Sequence, residues 1–160
     1  MLSNFRGLTF DDVVLVPGYN GIKSRQNVST SVELLGRVFG IPLISSNMDT
    51  ITETEMANAM TDLGGMAVLH RFVSIDDNVK MFQKLKNKDK VAVSIGIGKD
   101  GLDRADALIK VGATMICVDV AHGHSKEVNR SIKTLRESHG NNILIIAGNV
   151  ATYAGADYLA

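Results

Sequence analysis

The chain has 160 residues, 45% of them hydrophobic and 21% charged, a composition that excludes a disordered polymer and suffices to bury the core of one domain. Its 17 basic residues balance 17 acidic ones and gather in no block longer than the mixed "KLKNKDK", which argues against a nucleic-acid or anionic-membrane surface and for a small-molecule partner. No apolar run approaches the roughly 20 residues that cross a bilayer, "MLSNFRGLTF" lacks the apolar stretch of a signal peptide, and the single cysteine, Cys117, cannot form an internal disulfide; the chain reads as cytoplasmic.

An N-terminal segment carries turn signals at "PGYNG", and apolar runs then recur: "PLISSN" from Pro42, "MAVLHR" from Met66, "VAVSIGIG" from Val91, "MICVDVAHG" from Met115 and "ILIIAGNV" from Ile143. Amphipathic stretches at 52–64, 74–87, 100–112 and 125–140 fill the intervals. The runs are nearly continuous in apolar residues, the pattern of parallel strands covered on both faces. Thr52 with Glu55 predicts a capping box, Ser125 with Val128 a second helix start, and Gly64, Gly112 and Gly140 predict helix ends. Met56 and Met60, four apart, are expected in a core stripe. This βα repeat permits an open doubly wound sheet or a (β/α)8 barrel, and both place ligands at the carboxyl ends of the strands.

Every run ends in small, polar or ionisable residues, "SSNMD", "HR", "SIGIG", "DVAHGH" and "AGN", which together make one rim. In "SIGIGKDG", Gly96, Gly98 and Gly101 have the G-x-G-x-x-G spacing of a dinucleotide loop. That loop belongs in the first βα turn, however, and here it falls in the third. The triplet therefore reads as a tight strand-to-helix turn, and the rim as the top of a barrel. Cys117 lies inside its run and reads as a small buried hydrophobe, and His122 and His124 beside Asp119 lack the further convergent ligand that a metal site needs. A fifth helical pattern, "NVATYAGADYLA", reaches Ala160 with no cap, so residues 1–160 are expected to be the N-terminal portion of a single (β/α)8 barrel, about five βα units of a fold of about 250 residues.

"LTFDDVVLVP", "IPLISSNMDTITE", "GGMAVLHRF", "VDVAHGHS" and "AGNVAT", in this order over residues 8–160, resemble the IMP dehydrogenase/GMP reductase family of purine-nucleotide oxidoreductases. The resemblance implies a (β/α)8 barrel, usually a homotetramer. "IKSR" and "NMDT" are similar to the reductase branch, and the short step from "HRF" to "VAVSIG" has no room for the CBS pair of most dehydrogenases; "LTFDDVVLVP" and "DTITE" resemble the dehydrogenase branch. Ser46, Met48 and Asn149 match positions that hold the nucleotide. Arg71, Asp119, Val120 and Ala121 match positions that meet the nicotinamide cofactor, and Ser24 and Arg25 a pair that reaches the cofactor of a neighbouring subunit. The implied cofactor is NADP for a GMP reductase or NAD for an IMP dehydrogenase, with a monovalent cation in the complete enzyme. The family's attacking cysteine lies in a loop after the sixth strand, past Ala160, so no catalytic residue is expected within these 160, which alone are expected to be inactive. A non-catalytic nucleotide-binding partial barrel is the alternative from another class.

Overall fold

The computed structural model describes residues 8–34 and 36–160. Five parallel strands, β3 (Ile44–Ser45), β4 (Met66–Leu69), β5 (Val91–Ile95), β6 (Met115–Val118) and β7 (Leu144–Ala147), lie side by side strictly in chain order. They alternate with helices α1 (Thr54–Asp62), α2 (Ile75–Gln83), α3 (Gly98–Lys110), α4 (Lys126–His139) and α5 (Tyr153–Leu159).

The order and the burial decide between the two architectures left open by the repeat. A doubly wound sheet reverses its strand order and carries helices on both faces. Here the order never reverses. Ala67, Leu69, Val91, Val93, Ile95, Ile116 and Val118 pack against Ala57, Phe82, Leu108, Val128 and Leu135 of the helices. The alternate strand residues Met66, Val68, Ala92 and Met115, with Cys117, Leu144 and Ile146, form a second cluster to which, among the described residues, no helix contributes. One face is thus a helix-covered layer and the other the inside of a curved sheet, and the fold is a sector of a (β/α)8 barrel.

An antiparallel hairpin not foreseen from the sequence, β1 (Val32–Leu34) and β2 (Arg37–Phe39), covers the amino end of this inner face. Phe39 packs with Met66 and Met115, and Arg37 Nη2 donates to Thr114 Oγ1 at 2.8 Å. The hairpin therefore closes the end opposite the polar rim.

Helix starts are set at the rim. Ser74, Ser125 and Thr152 each accept a backbone N–H of the first turn, from Asp77, Val128 and Gly155. Gly64, Gly112 and Gly140 end α1, α3 and α4 with positive φ. Two expectations are corrected in α1. Thr52 is no cap: the helix begins after Glu53, and the buried Thr52 hydroxyl donates instead to the Ser46 carbonyl. Met56 is exposed while Ala57, Met60 and Thr61 turn inward, so the apolar stripe runs one residue later than the methionine spacing suggests. Among the described residues no helix is long and apolar enough to cross a membrane.

Candidate functional site

The carboxyl ends of the strands bring together the first residues of five loops, and the charged centre is a pair. Arg71 leaves β4 and Asp119 leaves β6, with β5 between them; Arg71 Nε donates to Asp119 Oδ2 at 3.1 Å, with side chains 32% and 24% exposed. A half-buried pair of this kind is worth more than a fully solvated one and fixes both groups. Asp119 is anchored further by its own N–H, which donates to the Ile95 carbonyl and prolongs the sheet ladder. The guanidinium lies over the Phe72 ring, 4.9 Å from its centroid, and alongside Gly96, where a Cβ would stand 3.6 Å from Nη1. Neither terminal nitrogen of Arg71 has a hydrogen-bond partner among the described residues, so a two-pronged donor is left at the rim.

Ser46 and Met48 stand on the loop after β3. The Met48 carbonyl accepts the N–H groups of Ile51 and Thr52, both at 3.0 Å, and Thr52 holds Ser46, so the loop is a closed turn that leaves Met48 about half exposed, at 51%. Across the sheet, Asn149 has a φ of 55°, the left-handed region where asparagine is favoured among non-glycine residues, and its carbonyl accepts the Gly123 N–H at 3.0 Å. Gly123 lies so close that any Cβ would overlap the Gly148 carbonyl. The loops after β6 and β7 are therefore interlocked. Ala121, His122, His124 and Asn149 line a shallow depression there, and the His124 ring leans on Tyr158 at 5.1 Å.

Other expected residues are placed apart. Val120 is half-buried, its side chain packed against the core cluster under the helices. Ser24 caps the short helical turn Arg25–Asn27 on an exposed N-terminal arm, and neither Ser24 nor Arg25 has a side-chain hydrogen bond to the rim. The glycine triplet is not a turn as a whole: α3 begins at Gly98, two residues before the expected start, and Gly101 lies within its first turns, where a Cβ would overlap the Gly96 carbonyl. The triplet thus serves close helix-to-strand packing. Cys117, expected to be buried, is half-buried on the inner face, and desolvation, reinforced by the nearby Asp119 carboxylate, pushes its thiol up to about 11.

Two polar residues beneath the rim escaped the sequence reading. Asn78 of α2 and Arg104 of α3 are buried and bond to each other, Arg104 Nη1 donating to Asn78 Oδ1 at 3.0 Å. The signal was present, because each occupies a slot of its helix's apolar stripe, Asn78 four before Phe82 and Arg104 four before Leu108.

The model of the IMP dehydrogenase / GMP reductase domain matches residues 7–160. The chain belongs to that family. The chain resembles the crystal structure of inosine 5′-monophosphate dehydrogenase from Legionella pneumophila with a TM-score of 0.88 and 51% sequence identity, over 96% of this chain and 47% of that one. It is 32% identical to an inosine-5′-monophosphate dehydrogenase of Cryptosporidium parvum, over 92% of this chain and 47% of the relative, and 34% identical to a GMP reductase of Delftia acidovorans, over 89% and 44%. The chain thus spans about half the length of the curated relatives it matches. Both branches of the family stand among its relatives, and both are enzymes of purine nucleotides.

Proposed function

We propose that the rim binds a purine nucleotide together with a nicotinamide cofactor, and that the protein is an oxidoreductase of the GMP reductase type, taking GMP, NADPH and a proton to IMP, NADP+ and ammonia. The observation that carries this reading is the Arg71–Asp119 pair, 3.1 Å long and formed across β5 at the ligand-bearing end of a barrel sector of this family.

The groups at the rim fit a phosphate-bearing dinucleotide. The unpartnered prongs of Arg71 match phosphate oxygens in bidentate fashion, and NADPH carries one phosphate more than NADH. Arg71 engages only Oδ2 of Asp119, which leaves Oδ1 to accept ribose hydroxyls, with the backbone of Val120 and Ala121 alongside. Ser46 donates its hydroxyl to phosphate or ribose, the Met48 thioether packs against the purine, and Asn149 approaches the reacting base. Nicotinamide, when bound, supplies or accepts the hydride. Ser24 and Arg25, on the exposed arm, reach the cofactor of a neighbouring copy, which makes the working form a homo-oligomer. By its family resemblance it is a tetramer of the cytoplasm. The chain supplies the N-terminal part of a single barrel domain without a CBS insertion, and a monovalent cation serves the complete enzyme.

The 51% identity to an IMP dehydrogenase over 96% of the chain favours a second reading, oxidation of IMP to XMP with NAD. One experiment separates the two. The protein purified from its natural gene is given GMP with NADPH or IMP with NAD, and the absorbance of reduced nicotinamide is followed. Loss of NADPH that requires GMP and releases ammonia supports the reductase; NADH formation that requires IMP supports the dehydrogenase; turnover in neither, with nucleotide still bound, leaves a binding module and overturns both.

A further inference from the structure

Arg71 stands half-buried at the rim, and the residues around it are held from below. His70, at the end of β4, is 1% exposed and bonded on every side. Its Nδ1 accepts the Phe72 N–H at 3.1 Å, which places the ring proton on Nε2, facing Glu53 Oε1 at 3.4 Å. Its carbonyl accepts Asn78 Nδ2 at 3.1 Å. Asn78 in turn accepts Arg104 Nη1 at 3.0 Å, and Arg104 Nη2 donates to the Val73 carbonyl at 2.9 Å. Asn78 and Arg104 therefore clamp the backbone on both sides of Arg71 and Phe72, through His70 and through Val73.

The clamp is an expensive way to hold a loop. Arg104 is only 6% exposed, and its hydrogen-bond partners among the described residues are an amide and a peptide carbonyl, with no carboxylate. Desolvating a charge costs free energy that bonds to neutral dipoles only partly return, so an apolar side chain of equal volume often serves packing as well or better. Burial pushes the guanidinium below its ordinary range, Asp100 opposes that, and the charge of Arg71 adds to it, so the two cations feel each other. A residue that served packing alone would have no need of this charge or of a forked donor.

We propose that Asn78 and Arg104 are positioning residues: they set the height and orientation of Arg71 at the rim and thereby tune affinity for the phosphate-bearing cofactor, without touching it. This rests on the reading of Arg71 as a cofactor ligand, and the test keeps the two apart.

The test compares Arg71→Ala, Asn78→Ala, Arg104→Met and Arg104→Lys in the active protein, with KM for cofactor and nucleotide, kcat and melting temperature for each. Expected are a rise of about tenfold in cofactor KM for Arg71→Ala and of about threefold to tenfold for Asn78→Ala and Arg104→Met, nucleotide KM within about twofold of the parent, and substantial recovery in Arg104→Lys, which keeps the charge and one donor. A merely structural clamp would lower the melting temperature and leave the ratio of the two KM values unchanged, and that result overturns the proposal. If Arg71→Ala leaves cofactor KM unaltered, the reading of Arg71 itself falls. If Asn78→Ala fails to fold, the Met and Lys variants of Arg104 decide alone.

Discussion

"VVLV" at 13–16 and "MAVL" at 66–69 are both unbroken runs of four apolar residues, yet they have opposite fates. "MAVL" is β4, buried at every position and paired on both sides, by β3 and β5. "VVLV" lies on the N-terminal arm, forms no strand, and is exposed throughout, with Leu15 at 96%. By composition the arm segment, with three valines against one, is the better strand former of the two. What makes one of them a strand is a neighbour that takes its hydrogen bonds and a helix that takes its side chains. The barrel sector supplies both through its repeat, because each strand is followed by a helix and then by the next strand.

The largest test of that contrast is a pair of aromatic truncations. Phe82 is fully buried between α2 and the sheet, and Phe82→Ala is expected to cost about 3–5 kcal/mol in urea unfolding. Phe10, 97% exposed on the arm, is expected to change stability by less than about 0.5 kcal/mol when truncated. Equal losses would mean that the arm is covered in solution, and the contrast would collapse.

The fold was legible where the chain repeats itself. Parallel strands between capped helices are written in local pattern, so Ser125 marks a helix start and Gly64 and Gly112 mark helix ends in the sequence and in the structure alike. The hairpin at 32–39 was not legible, because "VELLGRVF" is too short to alternate clearly and its role, closing the inner face with Phe39, is a contact with distant strands. The site divided in the same way. Strand-end polarity gave the rim, whereas the meeting of Arg71 with Asp119, 48 residues apart, depends on two strands lying on either side of a third. Asn78 and Arg104 were hidden because a polar residue in an apolar stripe has meaning only once its partner on another helix is known. Thr52 misled because a capping sequence competes with any other acceptor in reach, and the Ser46 carbonyl was in reach.

A smaller effect sharpens the comparison from inside the sector. The Cys117 thiol ionises in the folded chain only near 11, above the ordinary value of 9.0, so the unfolded chain loses its proton first as pH rises. Its contribution is complete below about 9 and is lost as pH climbs towards 11, a loss of about 2 kcal/mol. Cys117→Ala should flatten the fall of stability with pH in that window, measured by urea unfolding at a series of pH values. An unchanged slope would show that the thiol is not desolvated. Iodoacetamide at neutral pH should leave the folded thiol unmodified for the same reason, and rapid labelling would contradict it.

The smallest expected effect falls at the rim, where backbone and not packing is at stake. Asn149 holds its left-handed φ of 55° so that its carbonyl can meet the Gly123 N–H, with the loops after β6 and β7 locked together. Glycine adopts this conformation freely, whereas alanine is disfavoured there by about 1 kcal/mol. Asn149→Gly should therefore keep the stability of the parent, and Asn149→Ala should lose about 1 kcal/mol in urea unfolding. The two variants also separate the backbone from the side chain. If the carboxamide acts on the nucleotide, both variants weaken nucleotide binding alike, although only alanine strains the loop. If the residue is there only for its conformation, Asn149→Gly binds nucleotide as the parent does, and the side chain leaves the list of ligand contacts.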